Sequence, residues 1–188
     1  MSLRLVALSG SLRASSSSTA VLRALAAMAP AGVRVEVFEG LGELPFFDPQ
    51  LDLNPNDYRA PEPVLRLRAC LAAAQGLIIC TPEYAFGMPG VLKNALDWMV
   101  SMGVVEGKPV IALAASPSNL GGDKALQGLR WVLTALGMRQ MDAASFPIPR
   151  IRQKLGADGE ITDPVFAEML RRALEALVNA IPAVEGPR

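Results

Sequence analysis

A short apolar run, an irregular connector and a helix-spaced segment follow one another three times in this chain, and that repeated succession limits the fold more than any other feature. The run that begins at Leu3 ends at Gly10 and passes through Ser11-Leu-Arg13 and the serines 15–18 before apolar spacing resumes from Ala20 to Met28. Gly76–Cys80 (GLIIC) passes through the Pro- and Gly-rich stretch from Thr81 to Gly90 into a helical segment, Gly90–Ser101, with Pro89 suited to its first turn. Pro109–Ala115 (PVIALAA) passes through Ser116-Pro-Ser-Asn-Leu-Gly-Gly122 into helical spacing from Asp123 to Leu136. Continuous apolar runs of this length are what strands buried on both faces look like.

The remaining segments extend the alternation. Val33–Phe38 alternates and is β-branched, which predicts a second strand. Glu39–Pro63, with Asp-Pro at 48–49 and Asn-Pro at 54–55, predicts a long ordered loop, Val64–Ala74 a helix, and Met138–Ser145 a weakly patterned fifth strand. Ile161–Ile181 predicts the last helix, with Thr162 or Asp163 as N-cap and Pro164 just inside. Strand and helix alternating throughout predicts an α/β fold: one parallel sheet of five strands with helices on both faces, as a single domain over residues 1–188. With strand order 2-1-3-4-5, the connectors after strands one, three and four converge on one crevice beyond the carboxyl ends of the strands. That is a flavodoxin-like three-layer sandwich with a mononucleotide site.

Composition narrows the chemistry. Half of the 188 residues are hydrophobic, formal net charge is zero, and the basic residues are dispersed, so neither a nucleic-acid surface nor membrane insertion is expected. The early apolar stretch is too short for a signal peptide, and no run approaches membrane-spanning length. Cys70 and Cys80 lack metal or redox-pair spacing and are expected to be buried thiols in a reducing cytoplasm. The chain has no histidine, which excludes an unaided Ser-His-Asp or Cys-His hydrolase and the usual zinc and iron ligand sets. Reactivity is therefore expected to come from a borrowed cofactor.

The first connector suits a phosphate ester. A helix start leaves backbone N–H groups unpaired and carries partial positive charge, Arg13 can offer a fork of donors, and the hydroxyls of serines 15–18 are expected to face the anion. Glu83 and Tyr84 invite an acid–base or stacking role, but Glu83 is expected to position the cofactor or fix its loop through hydrogen bonds. Tyr84 and Phe86 could equally be loop packing. Gly121 and Gly122 permit close backbone approach.

Taken in order, GSLR at Gly10–Arg13 with the serines after it, TPEY at Thr81–Tyr84, PGVLKNALDW at Pro89–Trp98, ASPSNLGGDKALQGLR at Ala115–Arg130 and ADGEITD at Ala157–Asp163 resemble the NADPH-dependent FMN reductase family, which includes flavin, quinone, azo-dye and chromate reductases. The resemblance implies that Ser11, Arg13, Ser16, Ser17 and Ser18 hold FMN phosphate. It also implies that Pro82, Glu83, Tyr84, Ala85 and Phe86 lie along the isoalloxazine ring and ribityl chain. Ser116, Pro117, Ser118 and Gly121 would border the other part of the ring. Family members usually have asparagine where Ser18 and Ala85 stand. No protein side chain is implied as catalytic, since hydride passes from NADPH or NADH to the flavin, and no metal is implied. The helix carrying Lys93, Asn94, Asp97 and Trp98, with Met99 and Met102, is implied to join a homodimer interface, alone or in a dimer of dimers.

The expected activity is hydride transfer from NAD(P)H through bound FMN to a small-molecule electron acceptor: a quinone, free flavin, an azo compound or a metal oxyanion. The alternative is a flavodoxin-type electron carrier without nicotinamide turnover, against which the balanced charge counts.

Overall fold

The structure, a computed structural model, describes residues 2–52, 60–101 and 103–182. Its centre is a parallel sheet. Strand β1 (Leu3–Ser9) lies between β2 (Val33–Phe38) and β3 (Gly76–Thr81), and β4 (Pro109–Ala115) pairs on the far side of β3. Every residue of β3 and β4 is buried, whereas β2, at the edge, is half-exposed. This is the pattern expected when helices cover both faces of the inner strands.

The strand order is 2-1-3-4-5, as the sequence predicts, but the fifth position is filled by two short pieces, β5 (Arg139–Gln140) and β6 (Pro147–Ile148), each paired with β4. The expected continuous strand over Met138–Ser145 is broken by a 3-10 turn at Asp142–Ala144. Ser145 explains the break: its hydroxyl accepts from Ala112 N–H of β4 at 3.0 Å and donates to Met141 C=O at 2.8 Å, standing in for ladder bonds.

Helix α1 (Ser17–Ala27) starts three residues before the expected Ala20. It packs on one face of the sheet with α5 (Pro164–Asn179), around Leu5, Ala7, Ile78, Ile111 and Leu113. Helices α2 (Glu62–Ala72), α3 (Gly90–Asp97) and α4 (Asp123–Ala135) cover the other, around Val6, Leu8, Leu77, Ile79 and Val110. Odd and even strand positions thus serve separate cores, as the two-residue strand period requires. Asp163, not Thr162, caps α5: its carboxylate accepts from Val165 and Phe166 N–H at 3.0 and 3.1 Å. Of the long connector after β2, residues 40–43 and 49–51 form 3-10 turns, while the Asn-Pro pair at 54–55 lies outside the described residues, as does Met102.

Candidate functional site

Three connectors, after β1, β3 and β4, are tied into one rim at the carboxyl edge of the sheet. Gly10 opens the first. Its N–H donates to Cys80 C=O at 2.8 Å, and a Cβ there would fall 2.8 Å from Thr81 Oγ1 and 3.1 Å from Thr81 Cα, so the first and second connectors meet with no room for a side chain. The second and third are joined by Glu83, whose carboxylate accepts from Ala125 N–H at 3.0 Å in the first turn of α4. Gly122, at φ +87°, caps that helix and has no side chain to offer, so the acceptor comes from the neighbouring connector. Glu83 thus fixes its loop, one of the two roles expected of it.

The first connector is a donor-rich turn. Ser16 is the N-cap of α1, its hydroxyl accepting from Thr19 N–H at 3.2 Å, while the N–H groups of Ser17 and Ser18 find no acceptor among the described residues. Ser11 accepts from Arg13 N–H at 3.3 Å. Arg13 is exposed, and among the described residues no carboxylate lies within ion-pair distance of it. The expectation that all four hydroxyls of serines 15–18 face an anion needs correction. Ser18 is buried with its hydroxyl beside the Cys80 thiol, whereas Ser16 accepts at its cap and keeps its own O–H to donate, and Ser15 is exposed and Ser17 partly so. Ser18 can still offer its backbone N–H. Two residues the sequence reading passed over hold the turn in shape: Ser9 and Thr19 share a 2.8 Å hydroxyl contact, and Ser9 Oγ accepts from Ser11 N–H at 3.3 Å.

The second connector is a two-residue hairpin. Tyr84 and Gly87 exchange both backbone hydrogen bonds, at 2.9 and 3.0 Å, with Ala85 (φ 49°) and Phe86 (φ 61°) both left-handed at its tip. That geometry thrusts Phe86 into solvent, 78% exposed, with Tyr84 half-exposed and Pro82 partly covered.

In the third connector, Ser116 is buried and its hydroxyl accepts from Ser118 N–H at 3.2 Å, whereas Pro117 and Ser118 are exposed. Gly121 makes a close approach, but to protein. A Cβ there would lie 2.6 Å from Pro149 N and 2.8 Å from Ile148 C, so the position seats the connector on β6.

Asn94 and Trp98, on the helix the resemblance assigns to a subunit interface, act inside the protomer. Both side chains donate to Pro45 C=O at 2.9 Å, and Asn94 Oδ1 accepts from Phe47 N–H at 2.8 Å. Trp98 is fully buried, edge-on to Phe47. The connector after β2 is thereby held against α3, and Leu12 of the first connector rests on it at Gly42.

Cys80 is buried in β3 and burial pushes its thiol up to about 12; Cys70 is only partly buried, and desolvation raises it as well. Neither thiol is suited to nucleophilic work. No group of three or more potential metal ligands occurs among the described residues.

Chemically, the rim offers unpaired amide donors and a fork-shaped cation at one end, and an exposed aromatic hairpin and a hydroxyl-lined turn at the other. The first set has the chemistry a phosphate ester requires and the second the kind of surface that flanks a planar ring. The family model described as NADPH-dependent FMN reductase matches residues 3–153. The quinone reductase of Escherichia coli K12 is 31% identical over 186 residues, covering 97% of each chain. The 2-hydroxy-1,4-benzoquinone reductase of a Burkholderia species is 32% identical over 186 residues, covering 97% of this chain and 96% of its own. Among solved structures, FerB, a flavoenzyme NAD(P)H:(acceptor) oxidoreductase from Paracoccus denitrificans, superposes with a TM-score of 0.79 at 28% identity, covering 94% of this chain and 96% of that one.

Proposed function

The chain belongs to the NADPH-dependent FMN reductase family, and from that premise we propose that it passes reducing equivalents from NAD(P)H through bound FMN to a quinone, both half-reactions using the one rim. The net reaction takes NAD(P)H, a proton and the quinone to NAD(P)+ and the hydroquinone. FMN, when held there by the first connector, would supply the hydride-accepting and hydride-donating chemistry that the side chains lack.

The protein's part is to bind and orient. The amides of Ser17 and Ser18, with Arg13, Ser11 and Ser16, would hold the phosphate at the start of α1. Pro82 to Phe86 would flank the ribityl chain and ring on one side, and Ser116 to Ser118 with Gly121 on the other. One observation carries the reading: Glu83 reaches from the second connector to Ala125 of α4, so the walls of the site are joined within the free protein. Quinones lead the acceptor classes because relatives over nearly the whole chain are named for them; free flavin, azo compounds and metal oxyanions complete the panel to be tried. A cytoplasmic homodimer, alone or paired into a tetramer, is the form in which we expect it to act.

The test is an absorbance spectrum of the purified protein with FMN added, then anaerobic NADPH, then 1,4-benzoquinone. The reductase holds flavin, bleaches on NADPH and recolours with one quinone per nicotinamide oxidised. A flavin that binds but stays oxidised with NADPH and NADH would identify an electron carrier instead. Arg13→Ala should weaken FMN by about tenfold or more, the size of one charge-assisted phosphate contact; unchanged affinity would remove the phosphate assignment.

A further inference from the structure

A groove of about 790 Å3 runs beside α1, away from the rim's ring-sized end, between that helix and the hairpin 155–161 in which Leu155 pairs with Ile161. Its floor is Ala24 and Ala27 of α1, with Arg23 rising from the same helix face and Gly159 of the hairpin packed over Ala20 at one end. Met28, Leu155 and Ile161 make its sides apolar. Charge is set on both walls, Arg23 on the helix and Arg152 before the hairpin, with Arg13 and serines 15–17 at the end that opens toward the first connector. Among the described residues no carboxylate lies within ion-pair distance of Arg152, and Arg23 meets Glu39 only at 3.6 Å with both side chains mostly in solvent. Asp158 and Glu160 line the hairpin side, the Glu160 carboxylate accepting from Asp158 N–H at 3.1 Å.

These parts ask for a particular kind of molecule. A flat floor of methyls between apolar sides takes the face of a planar ring, guanidinium groups on opposite walls take phosphate oxygens, and a carboxylate accepts from an exocyclic amine. The volume lies within the ~300–1,000 Å3 of small-molecule sites, and the eleven residues of α1 give the groove a length of about 16 Å, enough for a nucleotide. We propose that this groove binds an adenosine phosphate, with the ring on Ala24 and Ala27 and the phosphate between Arg23 and Arg152. The choice of adenosine rests on the NAD(P)H reading above, since that co-substrate carries one. Two sources share this chemistry: the adenosine half of the dinucleotide reaching back from the rim, and a free adenine nucleotide acting beside it.

The probe is adenosine 2′,5′-bisphosphate, titrated calorimetrically into FMN-loaded protein and into two variants outside the rim, Arg152→Ala and Ala24→Phe. The first removes a phosphate donor and the second fills the floor from a partly buried position. Saturable binding that weakens about tenfold or more in each variant, with FMN affinity and circular dichroism unchanged, is the expected result. No saturable binding, or binding indifferent to both variants, overturns the proposal. Inhibition competitive with NADPH assigns the groove to the dinucleotide's own adenosine, and non-competitive inhibition assigns it to a separate nucleotide; either upholds the site. Should the protein fail to hold FMN, the function above falls, while the titration, repeated without flavin, still judges the groove.

Discussion

Cys80 is fully buried in the middle strand of the sheet, and burial, only partly opposed by the Ser18 hydroxyl, pushes its thiol up to about 12. The unfolded chain releases this proton near pH 9 and the native protein keeps it, so the contribution to stability is complete below pH 9 and is lost as pH rises from there toward 12. We expect the urea midpoint to fall between pH 8.5 and about 10.5 in the wild type and to fall less in Cys80→Ala at matched ionic strength. A parallel decline in both would mean that other groups carry the alkaline loss. Ala85 poses the opposite problem, a cost visible at neutral pH. At φ 49° its Cβ crowds its own carbonyl, a conformation that asparagine tolerates better than alanine. Ala85→Asn should therefore raise unfolding free energy by about 0.5–1 kcal/mol, read from denaturant midpoints at constant m-value. A lower midpoint would show that the hairpin tip prefers alanine for a reason other than backbone conformation.

At the level of elements, Glu83 does for α4 what a serine or aspartate at the cap would do had Gly122 not been needed. A Cβ at Gly122 would come 3.1 Å from that of Ala114, and its φ of +87° suits glycine. Glu83→Ala should cost about 1 kcal/mol, the usual worth of an N-terminal helix acceptor, and should weaken FMN because two connectors come apart. Glu83→Gln keeps an acceptor oxygen and should recover most of both losses; equal damage in the two variants would point to charge instead of tethering. The same region shows what could be read before the fold was known. β1, β3 and β4 were legible because strands buried on both faces must be apolar throughout, and their turns because proline, glycine and serine punctuate them. The fifth strand was not, since its break depends on Ser145 finding an amide of β4, a partner 33 residues away. Nor could a run of four serines announce that one hydroxyl would cap and another would be buried beside Cys80. That division follows from the helical rotation that begins at Ser17. That Asn94 and Trp98 hold the connector after β2 was not legible either, since their partner, Pro45 C=O, lies 49 and 53 positions earlier in an irregular segment.

At the scale of the molecule, the fold leaves large apolar side chains exposed beside α4. Phe86 leads into Met88, whose methyl lies over Gly128 of α4, and Trp131, one turn further along that helix, is 68% exposed. With a net charge of zero there is little long-range repulsion to keep copies of such a stripe apart. Large aromatic side chains such as Phe86 and Trp131 are costly to leave in water and are of the kind that dominates subunit contacts. A two-fold axis would bring the stripe against its own copy, so each substitution acts twice. Trp131→Glu places a carboxylate at the centre of that contact without touching either core, and the monomer should fold normally by circular dichroism. If α4 pairs with its symmetry mate, the change removes at least ~3 kcal/mol of association free energy across the two copies, raising the dissociation constant by more than about a hundredfold. Sedimentation velocity at micromolar concentration should then show the wild type at twice the mass of the variant. An unchanged mass in Trp131→Glu would place any subunit contact on another face and leave this stripe free to border the acceptor.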